Sequence, residues 1–572
     1  MCTRGLEIVR FNRRYYIRHH RCDSYFEDLG KKIVASIPVD DGLYKEWLES
    51  MQVEYAAKEI ALERSVYEIR DGSEPDYSEF HEFYVLPSEL PRLGHDFGYV
   101  YTIDLDREVL SINHSIHWKL TNIPRQVDPW LRAIADCIYP NNFTISPNLC
   151  PEEYLVSLDL ELPERNGNIA YDFRVVYPKA NIGDVRKAFL TYVLANTIIG
   201  YKEEIIRYGR EWGPASFPFR ELVFALVSIA SDQAKFRSFP AQHCDPRACS
   251  LWRCESNHLG KLPGWLTGEW VEKWASDDAP LLEFGSSSHR PGEPPGVSPI
   301  ETKYWMGDVL VSLALSIDGD AVSKAVTWGI EQGRSKFQIV VISLFEVIFA
   351  EVSVSNGMGP FIQISDPVYL SPLRKRYGLS THVLERPEAT PGMTRRHRRG
   401  VLILNSDCTG TVARLQGQFP GLAALVNFFE VAASRQAASK PTSIFPPELY
   451  DMILDFVDYD TWKTCLLVST VFRSSCIRKY RVDDRTRIVA GPFRRIRRHR
   501  YYKGPLMCFD FENIQTGQIL PMMSVSDCYG MEEFNWMPVI GSSRKALMLD
   551  ANIQFEPAGD VPVEADEDTW NF

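Results

Sequence analysis

The sequence has no apolar run long enough to cross a bilayer. Its longest, residues 337–350, is interrupted by Gln338 and Glu346 and reads as a buried helix or strand. Residues 1–14 are rich in arginine and have none of the apolar core that a secretory signal carries. Cysteine is sparse: 12 in 572 residues, scattered through the chain, which excludes a disulfide-stapled scaffold and predicts reduced thiols. Basic charge is in deficit. Lys and Arg total 63 against 75 Asp and Glu, a formal net charge of −12, which argues against a dedicated nucleic-acid protein. No repeat of fixed period is found, so solenoids and propellers drop out. A phosphate loop, a nucleophile elbow, a paired-histidine zinc helix and a dinucleotide fingerprint are all missing. These absences predict a protein without a membrane span, cytoplasmic or nuclear, that is not itself an enzyme.

Hydrophobic residues make up 45% of the chain and charged residues 24%, enough apolar material for sizeable cores. At about 150 residues per domain the length predicts three or four domains. The expected class is α+β and multidomain: a large mixed N-terminal body, a short C-terminal helical module, and a small β-rich segment after it. Within residues 1–180, 8–11 and 15–17 read as a hairpin joined through Asn12 and Arg13, and 43–70 as a helix. Residues 99–105, 109–113 and 155–162 alternate as strands. Residues 181–284 read as mainly helical, with Asp184 opening the run 189–199 and a second helix at 219–230. The stretch 285–300 (GSSSHRPGEPPGVSP over 285–299) is a linker or long loop. Residues 301–440 return to α+β, with a helix at 321–332 and linkers at 386–400 and 432–443. Helices follow at 443–480, a β-rich region at 481–558 and an acidic tail at 559–572.

One segment carries a recognisable pattern, IFPPELYDMILDFVDYDTWKTCLLVSTVFRS. Pro447 and Glu448 suit the first turn of a helix, where a missing N–H costs nothing and an acid complements the dipole. Leu449, Met452, Ile453, Phe456 and Val457 then fall on one broad apolar stripe. Asp460 is placed to cap a second helix, in which Cys465, Val468 and Phe472 share a face. Some forty residues hold too little core to stand alone, so the stripes must pack on their own chain or on a partner.

These residues resemble the F-box. The matching positions are Pro446, Glu448, Leu449, Ile453, Leu454, Val457, Asp460, Thr461, Cys465, Val468, Ser469 and Phe472. Phe445 stands where Leu is usual, Phe472 where Trp is usual, and Thr470 where the family has a basic residue. The match covers under a tenth of the chain, and it lies near the C-terminus where F-boxes are commonly N-terminal. The chain as a whole is similar to filamentous-fungal F-box proteins, which adds no biochemical activity. The resemblance implies a three-helix module that docks on the Skp adaptor of an SCF ubiquitin ligase, the rest of the chain recruiting a protein substrate for ubiquitination. It implies Pro446, Leu449, Ile453, Leu454, Val457, Val468 and Phe472 as the interface. If so, Leu449, Ile453 and Val457 should leave an apolar patch partly exposed. A structural or regulatory protein whose helices pack internally should bury them completely.

Rival constellations are fewer. His243, Cys244, Cys249, Cys254 and His258 lie within sixteen residues, and a tetrahedral zinc could draw ligands from Cys244, Cys249, Cys254 and His258. The spacing matches no named finger, so the expectation is free thiols and no cofactor, with zinc as the alternative. Trp252, Trp265, Trp270 and Trp274 nearby read as packing, or as a stacking surface for a ligand. Arginine runs at 395–399 and 494–500 are candidate nuclear signals or nucleic-acid patches in an acidic chain. Asp104 and Asp106 could hold a divalent ion, but the flanking alternation predicts a hairpin turn with exposed carboxylates.

Overall fold

A computed structural model describes, apart from short gaps, residues 3–70, 98–126, 152–156, 170–234, 298–373, 412–439 and 445–491, with strands at 83–85, 237–239, 510–523 and 535–555. The class is mixed α and β, with several sheets. The chain divides into two compact units.

The first unit is built on the N-terminal 160 residues. Strands β1 (Gly5–Phe11) and β2 (Arg14–His20) form the expected hairpin. Asn12 and Arg13 both take positive φ, 49° and 64°, the two-residue turn whose twist suits a hairpin. With β3 (Phe83–Val85), β4 (Tyr99–Asp104), β5 (Val109–Ile112) and β6 (Ile116–Lys119) they make a sheet of order β3-β2-β1-β4-β5-β6. All its pairs are antiparallel except β1 with β4. The helices α1 (Lys31–Ser36) and α2 (Asp41–Arg70) cover one face. There Tyr16, Tyr101, Ile103, Leu110 and Trp118 pack with Ile33, Tyr44, Tyr55 and Leu62.

Two expectations need correction in this unit. Asp104 is not exposed at a turn: it is 4% accessible and takes both oxygens' bonds from Arg10 Nη1, at 2.9 and 2.8 Å. Asp106 accepts the backbone N–H groups of Asn12 and Arg13, each at 2.8 Å. The pair therefore fastens β4 to the neighbouring hairpin, and its lone pairs are engaged by protein donors. Cys22 is disulfide-bonded, against the expectation of reduced thiols throughout.

The second unit centres on a sheet of order β7-β13-β12-β11-β10-β9. Its strands are β7 (Phe173–Val175), β9 (Lys303–Met306), β10 (Val309–Leu313), β11 (Lys336–Ile342), β12 (Glu346–Ser353) and β13 (Phe361–Ile364), with β14 (Val368–Tyr369) on β12. The apolar run 337–350 is thus two antiparallel strands. Ser343 turns the chain between them, its Oγ accepting from the N–H of Phe345 and Glu346. Strands buried on both faces lose the alternation that would have separated them in the sequence.

Helices α3 (Val185–Gly200), α4 (Phe217–Ala230), α5 (Gly319–Glu331), α6 (Val412–Gln418) and α7 (Pro420–Ala438) complete this body. Asp184 caps α3 as expected, accepting from Arg186 and Lys187 N–H. α5 covers one face of the sheet over Leu310, Ile339, Val341 and Ile362. Gly329 is required on α5, because a Cβ there would stand 2.4 Å from the Phe337 ring. α7 lies on the other face, with Phe428 tilted against Phe349 at 4.9 Å. The Ala/Ser stretch expected as a linker from 432 is therefore helix to Ala438. Alanine is the best helix former, and Ala432 and Ala437 are buried. Beyond the helical module lie β15 (Thr486–Ala490), β16 (Asp510–Asn513), β17 (Ile519–Met523) and β21 (Gln554–Phe555), in that order in one sheet. β8 (Arg237–Phe239) pairs with β18 (Asn535–Met537), and β19 (Val539–Gly541) with β20 (Ala546–Met548).

Candidate functional site: the helical module

The module is three short helices, α8 (Pro447–Phe456), α9 (Tyr459–Cys465) and α10 (Thr470–Arg478). Pro446 stands at the cap of α8 with Pro447 and Glu448 in its first turn. The second helix begins earlier than expected: Asp458, not Asp460, is its cap, its Oδ1 accepting from Thr461 N–H at 2.7 Å. That bond holds the Asp458 carboxyl below the usual range. Capping at 458 places Tyr459 and Trp462 inward, stacked on each other and both buried. The chain then turns at 466–468, and Ser469 caps α10 through Phe472 N–H. Cys465, Val468 and Phe472 consequently do not share one helical face; Val468 is exposed in the turn while Cys465 is buried.

Facing inward, α8 presents Tyr450 and Leu454, each 5% exposed. Tyr450 meets Phe472 edge-on at 4.7 Å, and Trp462 meets Tyr480 edge-on at 5.5 Å. Arg481 closes the C-terminus of α8, donating to the carbonyls of Leu454 and Val457 at 2.6 and 2.7 Å.

Below these rings lies a buried charge network that no local pattern in the sequence signals. Asp232, just past α4, accepts from Arg186 Nε at 2.9 Å, and from the Nζ of Lys463 and the hydroxyl of Tyr480. Lys463 also donates to the Asp232 carbonyl at 2.9 Å. Glu430 on α7 accepts from Arg186 Nη1 and, at 2.5 Å, from Arg473 Nη2. Burial alone would raise both carboxyls. Lys463 and Arg186 outweigh it at Asp232, and Arg186 with Arg473 pull Glu430 down to about 2. Burial and the neighbouring Asp232 push the Tyr480 hydroxyl well above its usual range, so it stays a donor. Two module residues, Lys463 and Arg473, are thus held by two acids of the helical body.

The outward face is the reverse. Leu449 is 42% exposed, Ile453 40% and Phe456 87%, with Met452, Val468 and Phe445 exposed beside them. Of the seven residues implied as an interface, Pro446, Leu449, Ile453 and Val468 are exposed, and Val457 and Phe472 are half-buried. Leu454 points the other way, into the chain. Met452 and Phe456, outside that set, are more exposed than Leu449 or Ile453; they lie on the same stripe, which was the signal for them.

The Cys/His cluster 243–258, the tryptophans from 252 to 274 and the arginine runs 395–399 and 494–500 fall outside the described residues. Among the described residues, no group of three His, Cys, Asp or Glu could hold a metal ion, and no helix is long and apolar enough to cross a membrane. In comparisons with known proteins, no family model, no curated protein and no solved structure matches this chain.

Proposed function

We propose that the chain is a non-catalytic F-box-type adaptor whose helical module docks on the Skp subunit of an SCF ubiquitin ligase while its body recruits a protein substrate. The observation that carries this reading is the exposed apolar stripe of α8, Leu449, Met452, Ile453 and Phe456, on helices already anchored from behind by Tyr450, Leu454 and Trp462. A contiguous apolar face on an anchored helix is the form of a helix-in-groove contact, with anchors at i, i+3, i+4 and i+7. Complete burial of Leu449 and Ile453 would have removed the face. The partner's identity rests on the residue pattern alone, and no relative lends it weight.

The test is binding of purified full chain to purified Skp adaptor by calorimetry. Wild type is expected to bind, and Leu449→Asp with Ile453→Asp to abolish binding without unfolding the chain. Failure of wild type to bind, or equal binding by the double variant, overturns the adaptor. A second reading, a structural or regulatory protein in which the helices serve as internal packing, is favoured by one specific observation, the ion pairs Lys463–Asp232 and Arg473–Glu430. It expects no Skp binding, and loss of fold when the inner face is disturbed.

A further inference from the structure

Among the described residues β7 ends the sheet of the second unit, paired in parallel with β13 through Phe173–Ile362, Arg174–Gln363 and Val175–Ile364. Backbone groups on a strand alternate in direction. Val176 N–H is bonded inward, to Ile364 O at 2.7 Å. The N–H and C=O groups of Phe173 and Val175 therefore point out of the sheet. The side chains of those residues are exposed too, 47% and 44%, and Tyr177 just past the strand is 84% exposed.

Register explains why this edge is apolar. Phe173 and Val175 stand in line with Ile362 and Ile364, which are buried in the core under α5. The core face of the sheet thus continues past β13 and ends in solvent. Asp172 and Arg174 alternate with it and are exposed. The edge is also held in place. Tyr171 packs on the same core, its hydroxyl 2.6 Å from Thr327 Oγ1 on α5, and Ala170 N–H donates to Ser323 Oγ at 3.1 Å.

We propose that β7 is a docking edge for an extended peptide of a partner protein, which adds as a further strand beside Phe173, Val175 and Tyr177. Outward main-chain donors and acceptors are matched by an extended backbone, and the side-chain row fixes the peptide's chemistry: apolar residues at alternate positions, polar ones between. A helix would leave those main-chain groups unpaired. A second copy of this chain fits less well, because a three-residue strand offers far less than the roughly 800 Å² per partner that a stable dimer needs. The edge exists whether or not the module binds an Skp adaptor, so the two readings stand or fall separately.

The experiment pans a phage-displayed random twelve-residue library on the full chain, then measures the most enriched peptide, made synthetically, by fluorescence anisotropy. Enriched peptides should alternate apolar and polar residues. Val175→Pro removes an outward N–H and no bond to β13, and Phe173→Lys with Val175→Lys charges the edge while keeping the backbone. Each should weaken the peptide at least tenfold at unchanged melting temperature, and should leave Skp binding as in wild type. If Val175→Pro does not fold, the double-lysine variant decides. No enrichment above background, enrichment of helix-patterned peptides, or wild-type affinity in a folded variant overturns the proposal. So does a dimer in sedimentation that either edge variant dissociates, which would assign the edge to a second copy.

Discussion

The two faces of the helical module partly invert the usual partition. Inward it carries Lys463 and Arg473 into a buried network with Asp232, Glu430, Arg186 and Tyr480; outward it shows Leu449, Met452, Ile453 and Phe456 to solvent. Charge inside is expensive unless its partners are in place, and apolar side chains stabilise the fold only by the area they bury. The inner arrangement therefore fixes geometry, since one lost partner leaves a buried charge uncompensated. The outer arrangement contributes little to stability, which is the form the proposed adaptor contact would take, and that separation of roles can be tested one face at a time.

The largest effect should come from the inner charges. Asp232→Ala takes the buried carboxylate away from Arg186 Nε, Lys463 and Tyr480, leaving Arg186 with Glu430 and Lys463 with the backbone carbonyl of residue 232, and should cost about 3–5 kcal/mol in urea unfolding of the full chain. A loss under about 1 kcal/mol would mean that the network is not assembled as described. Next is acid. The Glu430 carboxyl sits at about 2 against an ordinary 4.5. A depressed folded value gives stability that is fully present above pH 4.5 and is lost as pH falls toward 2. The difference amounts to about 3 kcal/mol. Unfolding followed from pH 6 to pH 2 should show this slope, and Glu430→Gln should flatten it while lowering stability at neutral pH.

A smaller effect separates neighbours on one helix. Leu454→Ala should cost about 2 kcal/mol, at the low end for a buried leucine because α8 lies at the surface and can settle into the gap. Ile453→Ala, one residue earlier and 40% exposed, should change stability by less than about 0.5 kcal/mol. Binding of the Skp adaptor should rank the two in the opposite order, the Ile453 variant losing affinity at full stability. Equal effects on both scales would erase the distinction between the faces.

What could be read in advance divides along the same line. The β1–β2 hairpin, α2, the Asp184 cap and α5 were legible because their signals are local: a two-residue turn, a 3.6-residue period, an oxygen ahead of an apolar run. The stripe on α8 was legible too, but not its direction. Tyr450, outside the stripe by its polar tip, is what packs inward and turns Leu449 out. Asp458 and Asp460 are equivalent as caps in sequence, and only the end of α8 at Phe456 chooses between them. The charge network was invisible because its partners lie 43 to 248 positions apart, with Asp232 at the end of an apolar helix where an acid reads as an ordinary surface residue. The open edge at β7 escaped for a related reason: three residues make too short a strand to show alternation.

The smallest expected effect is the sharpest test of the outer face. Phe456 closes α8 at 87% exposure, so Phe456→Ser removes a large ring from water and leaves no cavity behind. Stability should move by less than about 0.5 kcal/mol, within the range of ordinary surface changes. Solubility should rise, because the largest element of an exposed apolar patch is gone. If the outer face exists for a partner, adaptor affinity should fall severalfold in calorimetry while the melting temperature stays at the wild-type value. A drop in melting temperature of the size expected for Leu454→Ala would instead place Phe456 against the chain's own surface, and the inversion between the two faces would disappear with it.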